Sequence, residues 1–282
     1  MAAAEEMIHD LTELVSLPEV SLRVSQMVNN EDCTAAEVGN VISQDAALAA
    51  RLLKIANSPF YGLSSKVDTI SRAVTILGLK QIRDLVLSTS ATRAFKGIPT
   101  DLVSVEDFWH HSLYCGLLAQ ELGDVCSKSR SESLFIAGLL HDIGQLIMFH
   151  KLPQQMHAAL LRTVQGEPTL ELYQAEREII GFDHTQVGEA LAISWNLPRN
   201  LQECIANHHQ PEEAKMFPVQ VALVHIANAI ASLPFMEHSE ITQALQVEPL
   251  CWELTGLTTD NIEPAIEKAR QQIAETESVF FT

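Results

Sequence analysis

Six residues from position 111 onward carry the chemistry this sequence can offer: His111, His141, Asp142, His184, His208 and His209. They occur in clusters, His110-His111, His141-Asp142, Asp183-His184 and His208-His209, with His225 further on. Each stands at the edge of an apolar run; His141-Asp142, for example, follows Phe135-Ile-Ala-Gly-Leu-Leu140. A titratable pair drawn partly into a core needs a partner, because burying an uncompensated charge is costly. Imidazoles and carboxylates that converge from several helices can bind iron, manganese or zinc, and ions so held activate water for attack on phosphoesters. For any one histidine the plainer reading is an ordinary hydrogen bond between helices, but the ordered series favours a shared centre.

Groups so far apart in sequence must be brought together by helices, and helical periodicity runs through the whole chain. Leu11, Leu14 and Val15, then Val20, Val24 and Met27, recur at three- and four-residue spacing around a break at Pro18. Thr34-Ala-Ala-Glu37 is a capping-box pattern that starts a helix. Helices are further expected over 46–56, 69–77 and 79–92, with Gly78 as a left-handed residue between the last two. Periodicity lapses between Lys96 and Val105, around Gly97 and Pro99. Helices then follow over 108–122, 134–148, 170–180, 186–195, 201–208 and 219–233, and a tail helix over about 262–273. No useful period-2 strand pattern appears. The expected fold is all-α, a helical bundle in two subdomains: residues 1–100, then 101–235, with a helical extension over 236–282 packing back on them.

The chain of 282 residues holds 18 Lys and Arg against 36 Asp and Glu, a formal charge of −18. Such a field repels nucleic-acid backbones and anionic lipid, so neither nucleic acid nor membrane is expected as a partner. Lys80 and Arg83, beside Asp84, read as a solvated helix face. The five cysteines are scattered, with no CxxC, which suits small buried residues in a reducing compartment. The start Met-Ala-Ala-Ala-Glu-Glu is acidic where a signal peptide needs basic residues, and no apolar run reaches membrane-spanning length. A cytoplasmic location is expected.

The order of motifs is more specific than any one of them. Phe-Trp-His-His111-Ser, Ala-Gly-Leu-Leu-His141-Asp142-Ile-Gly144, Gly181-Phe-Asp-His184-Thr-Gln-Val-Gly188 and Ile-Ala-Asn-His208-His209 resemble the HD superfamily of metal-dependent phosphohydrolases, and especially its HDOD branch. In the first half, Leu17-Pro18-Glu19-Val20, Ile42-Ser-Gln-Asp45, Leu53-Lys-Ile-Ala-Asn57-Ser58 and Ala73-Val-Thr-Ile-Leu77-Gly78 are similar to HDOD landmarks. The resemblance spans roughly residues 10–235.

It implies a bacterial signalling module, with metal ligands at His111, His141 and Asp142, and extra ligands at His184, His208 and His209. Two departures matter. The family pattern asks for a distant aspartate in Leu223-Val-His225-Ile-Ala-Asn228, where this chain offers the neutral amide of Asn228. Gln145 stands where the cyclic-dinucleotide hydrolases of the superfamily carry a lysine, and Gln210-Pro-Glu-Glu213 replaces their Gly-Tyr-Pro signature. A non-catalytic regulatory module acting on signalling protein partners is therefore expected, with a metal-dependent phosphohydrolase as the alternative; a divalent transition metal is the one cofactor implied. The loop from Asn57 to Lys66, with Pro59, Phe60, Tyr61 and Leu63, is a candidate partner contact, or else folds back on the N-terminal core.

Overall fold

The computed structural model describes residues 9–10, 17–28, 30, 32–58, 61–63, 66–95, 103–126, 133–165, 170–233, 241 and 245–280. Within them every regular element is helical and no strand occurs, so the chain is all-α. It divides into two compact units, Ser16–Lys96 with Pro264–Thr282, and Met1–Val15 with Gly97–Glu263.

The first unit is built from α1 (Glu19–Val28), α2 (Ala35–Ile42), α3 (Ala46–Ala56), α4 (Ile70–Leu77) and α5 (Leu79–Ala94). The Thr34 hydroxyl accepts from the Glu37 amide at 3.2 Å, and the Glu37 carboxylate accepts from the Thr34 amide at 2.9 Å, so the capping box starts α2. The Asn57 side chain donates to the Val67 carbonyl and accepts from the Val67 amide, both at 2.7 Å, which closes the loop after α3. In that loop Tyr61 and Leu63 are half-buried, while Pro59 and Phe60 lie outside the described residues. Gly78 has φ 88° and ψ 157°. It is thus not in the left-handed helical well but in an extended positive-φ conformation that only glycine adopts at low cost. The last helix, α15 (Glu263–Phe280), runs beyond the expected stop at Ile273. Ala265, Ile266, Ala269, Ile273 and Phe280 form a buried stripe along it, and Lys54 donates to the Ser278 carbonyl at 3.1 Å.

The second unit contains α6 (Val105–Val125), α7 (Leu134–Leu140), α8 (Ile143–Lys151), α9 (Pro153–Gln165), α10 (Leu172–Ile180), α11 (His184–Ser194), α12 (Arg199–Asn207), α13 (Pro218–Ala231) and α14 (Pro249–Thr255). The single helix expected over 134–148 is two helices, broken at His141-Asp142 by a turn in which the Gln145 amide donates to the Asp142 carbonyl at 2.8 Å. Periodicity missed the break because both sides are apolar; Leu134 to Leu140 and Leu146 to Phe149 are all buried. The sequence reading also left out α9 and the seven-residue α14.

Two glycine crossings draw the site-bearing helices together. A Cβ on Gly138 would lie 2.7 Å from the Gly116 Cα and 2.8 Å from the Cys115 carbonyl oxygen, so α6 and α7 meet backbone to backbone. A Cβ on Gly144 would lie 2.0 Å from the His184 carbonyl oxygen and 2.7 Å from the Gly188 nitrogen, which puts the start of α11 directly on α8. No other side chain fits at either place.

Candidate metal centre

Asp142 is the hub. It is the residue before α8, where a carboxylate ordinarily accepts from the first free amides of the helix, yet its side chain makes no capping bond. It points instead into a ring of imidazoles. Its Oδ1 lies 3.2 Å from Nε2 of His184 and 3.2 Å from Nε2 of His208; its Oδ2 lies 3.2 Å from Nε2 of His141 and 3.7 Å from Nε2 of His111. His141, His184 and His208 are wholly buried.

The other ring nitrogens explain this orientation. Nδ1 of His141 lies 2.7 Å from the Gly138 carbonyl oxygen, and Nδ1 of His208 lies 3.0 Å from that of Ile205. A carbonyl only accepts, so in both rings Nδ1 carries the hydrogen and Nε2 is left with a lone pair in the neutral form. His184, the first residue of α11, is fixed by Glu176 of α10, whose Oε2 accepts from the His184 amide at 2.9 Å and from its Nδ1 at 2.7 Å. Three Nε2 lone pairs thus face a carboxylate in a buried space, and the Nε2 atoms of His141, His184 and His208 and the Oδ1 of Asp142 have no hydrogen-bond partner. Lone pairs so opposed repel unless a cation or protons lie between them. The 3.2 Å spacing is that of neighbouring donors around one ion with ligand bonds of about 2.0–2.2 Å, so these residues fit a transition metal.

Protonation follows the same geometry when no metal is present. Burial pulls the His184 imidazole down, but the Glu176 and Asp142 carboxylates together outweigh it and the group is pushed up to about 10. Burial raises Asp142, yet the His141 charge and the histidine contacts hold it well below the usual carboxylate range. His209 goes the other way, to about 3, through burial and the nearby His184.

The structure brings all six sequence-predicted residues together, in two groups that share Asp142. Donor atoms of Asp142, His184, His208 and His209 lie within 4.8 Å of one another, as do those of His111, His141 and Asp142. Asn228, on α13, lines the same cavity beside His111 and hydrogen-bonds to it. His225 is engaged elsewhere: its Nδ1 donates to the His208 carbonyl at 2.7 Å, and its Nε2 accepts from the Glu248 amide at 3.2 Å. A cavity of about 600 Å³ opens over the centre, with Asp107, Phe108, Gln145 and Glu171 on its wall.

The sequence placed α10, expected over 170–180, but not its part in the centre. Besides Glu176, this helix supplies Tyr173, whose ring stacks on His209 at 4.6 Å, and Arg177, which pairs with Asp183, the cap of α11, and with Gln210. One signal was available: Glu176 lies four residues after Leu172 and four before Ile180, in the apolar stripe of an amphipathic helix, where a solvated glutamate does not belong.

The comparisons with known proteins agree with this architecture. A family model for the HDOD domain matches residues 14–211. The chain belongs to the HDOD family. An uncharacterized protein of Treponema pallidum (strain Nichols) is 28% identical over 221 residues, which is 77% of this HDOD chain and 42% of that protein, so the chain spans less than half of its relative's length. A protein of Shewanella amazonensis SB2B, provisionally named a phosphohydrolase, superposes with a TM-score of 0.75 at 26% identity over 96% of each chain. A protein of Marinobacter aquaeolei VT8, provisionally named a signal transduction protein, superposes with a TM-score of 0.74 at 20% identity, covering 96% of the HDOD chain and 60% of that one; at this identity the likeness is one of fold. Among the described residues, no helix of the HDOD chain is long and apolar enough to cross a membrane.

Proposed function

We propose that this HDOD chain is a regulatory module that acts through protein-protein contacts and holds a divalent transition metal (iron, manganese or zinc) on His111, His141, Asp142, His184, His208 and His209 without turning over a substrate. The observation that carries the non-catalytic part is Asn228 beside His111, where the family pattern asks for a carboxylate. A bound ion would polarise a phosphoryl oxygen and acidify a coordinated water. Holding two such ions needs anionic ligands, and the six residues contribute one carboxylate, that of Asp142. The cavity wall adds Asp107 and Glu171 and, among the described residues, no lysine or arginine, so a phosphoester would meet repulsion on its way in.

A second reading, a surviving metal-dependent phosphohydrolase, is favoured by the open cavity above the centre. The two are separated by incubating the purified chain, loaded with manganese, iron or zinc, with cyclic dinucleotides and simple phosphomonoesters. No turnover is expected. Metal-dependent hydrolysis abolished by His141→Ala and by Asp142→Ala would establish the second reading and overturn the first.

Protein partners, and not nucleic acid or membrane, suit the net charge of −18. Tyr61 and Leu63, half-buried in the loop Asn57–Lys66, are the candidate contact. If the loop folds back on the N-terminal core, substituting Tyr61 with Ala should lower the melting temperature; unchanged stability with lost partner capture would support the contact.

A further inference from the structure

We infer that the centre takes its first divalent ion on Asp142, His184, His208 and His209, and not on the His111 and His141 side. This rests on the metal-centre reading above and divides that centre into unequal halves. The dividing group is the Asp142 carboxylate, whose Oδ1 faces His184 and His208 and whose Oδ2 faces His141 and His111.

Three features separate the halves. The first is the number of donors. Four side chains surround the Oδ1 side, all with ligand atoms within 4.8 Å of one another, against three on the other side. The residue placed to complete the smaller set is Asn228, and its Oδ1 already accepts from the Ser232 hydroxyl at 3.3 Å.

The second is charge. Behind His184 stands the fully buried carboxylate of Glu176, 2.7 Å from Nδ1, so a divalent ion on this side feels two anions, one directly and one through the imidazole. Against His141 stand the Gly138 carbonyl and the Cys115 side chain, and no second carboxylate behind it.

The third is rigidity. Helix α10 braces the Oδ1 half at three points, through Glu176 on His184, the Tyr173 ring on His209, and Arg177 on Asp183 and Gln210. Ligands already held in place lose less freedom when the ion arrives. On the other half, His111 is a quarter exposed on the cavity wall.

Titrating cobalt(II) into the 282-residue chain tests this, read by its visible d–d absorption and by metal content after gel filtration. One tight equivalent is expected for the unmodified chain. His184→Ala should weaken that equivalent by about tenfold or more, and His111→Ala should weaken it by clearly less. His184 is buried, so His209→Ala, at the cavity wall, provides a substitution with less risk to the fold and the same expected loss; circular dichroism checks each variant. Loss of the tight equivalent in His111→Ala with retention in His209→Ala would overturn the assignment while leaving the metal centre standing. No cobalt bound by the unmodified chain would overturn both.

Discussion

Glu176 grips His184 twice with one oxygen, accepting from the backbone amide at 2.9 Å and from the ring Nδ1 at 2.7 Å. A single carboxylate thereby fixes which way the imidazole faces and which nitrogen is left for Asp142, at the start of a helix that Asp183 caps. Glu176→Gln keeps the shape and removes the charge. Metal affinity should fall by about 10–100-fold, as measured by competition with a coloured chelator, with little change in the helical content of the chain. Unchanged affinity would mean that Glu176 serves only the fold.

Asn228→Asp should restore the missing anion beside His111 and add a second metal equivalent at concentrations where the unmodified chain binds one. Asn228→Ala should leave the first equivalent as it is. Metal content after equilibrium dialysis reads both; an Asp variant that binds no more metal than the parent would mean that position 228 does not reach the ion.

Gly144→Ala introduces a Cβ 2.0 Å from the His184 carbonyl oxygen, against backbone that cannot swing aside. The cost should be about 1–3 kcal/mol, seen as a lower urea midpoint, and metal binding should weaken in parallel because His184 moves. An alanine variant as stable as the parent would show that α8 and α11 do not meet backbone to backbone at Gly144.

Without metal, stability should peak near neutral pH. The folded value of His184 is raised from 6.5 to about 10, so its contribution is complete below pH 6.5 and is lost as pH rises toward 10. That of His209 is lowered from 6.5 to about 3, so its contribution is present above pH 6.5 and is lost as pH falls toward 3. Because the ion competes with the His184 proton, metal affinity should rise with pH over the alkaline window and uptake should release protons. Urea titrations of chelated and metal-loaded protein across this range check both; an alkaline loss of stability equal in the two forms would contradict it.

The order of the helices and the histidine clusters could be read in the sequence because both are local signals: capping at Thr34, apolar spacing through α3 and α13, histidines at helix ends. What could not be read depends on neighbours distant in sequence. The break at His141-Asp142 is invisible to periodicity because apolar residues continue on both sides. The place of Glu176 in the apolar stripe of α10 marks it as buried but not what it grips, and Tyr173 and Arg177 have no motif. The sequence does carry the Asn228 departure, and the structure adds the partners that its amide takes, His111 and Ser232.

The contact of Gly144 with His184 and Gly188 has a mechanical meaning. In most helix crossings, flexible side chains lie between the two backbones and absorb small displacements by changing rotamer. Here there is no such cushion: the His184 carbonyl and the Gly188 amide rest on the bare Cα of Gly144. A shift in His184, whether from gaining an ion or losing a proton, passes to α8 as movement of the main chain. The centre therefore rests directly on the main chain of α8, with no layer of side chains between them.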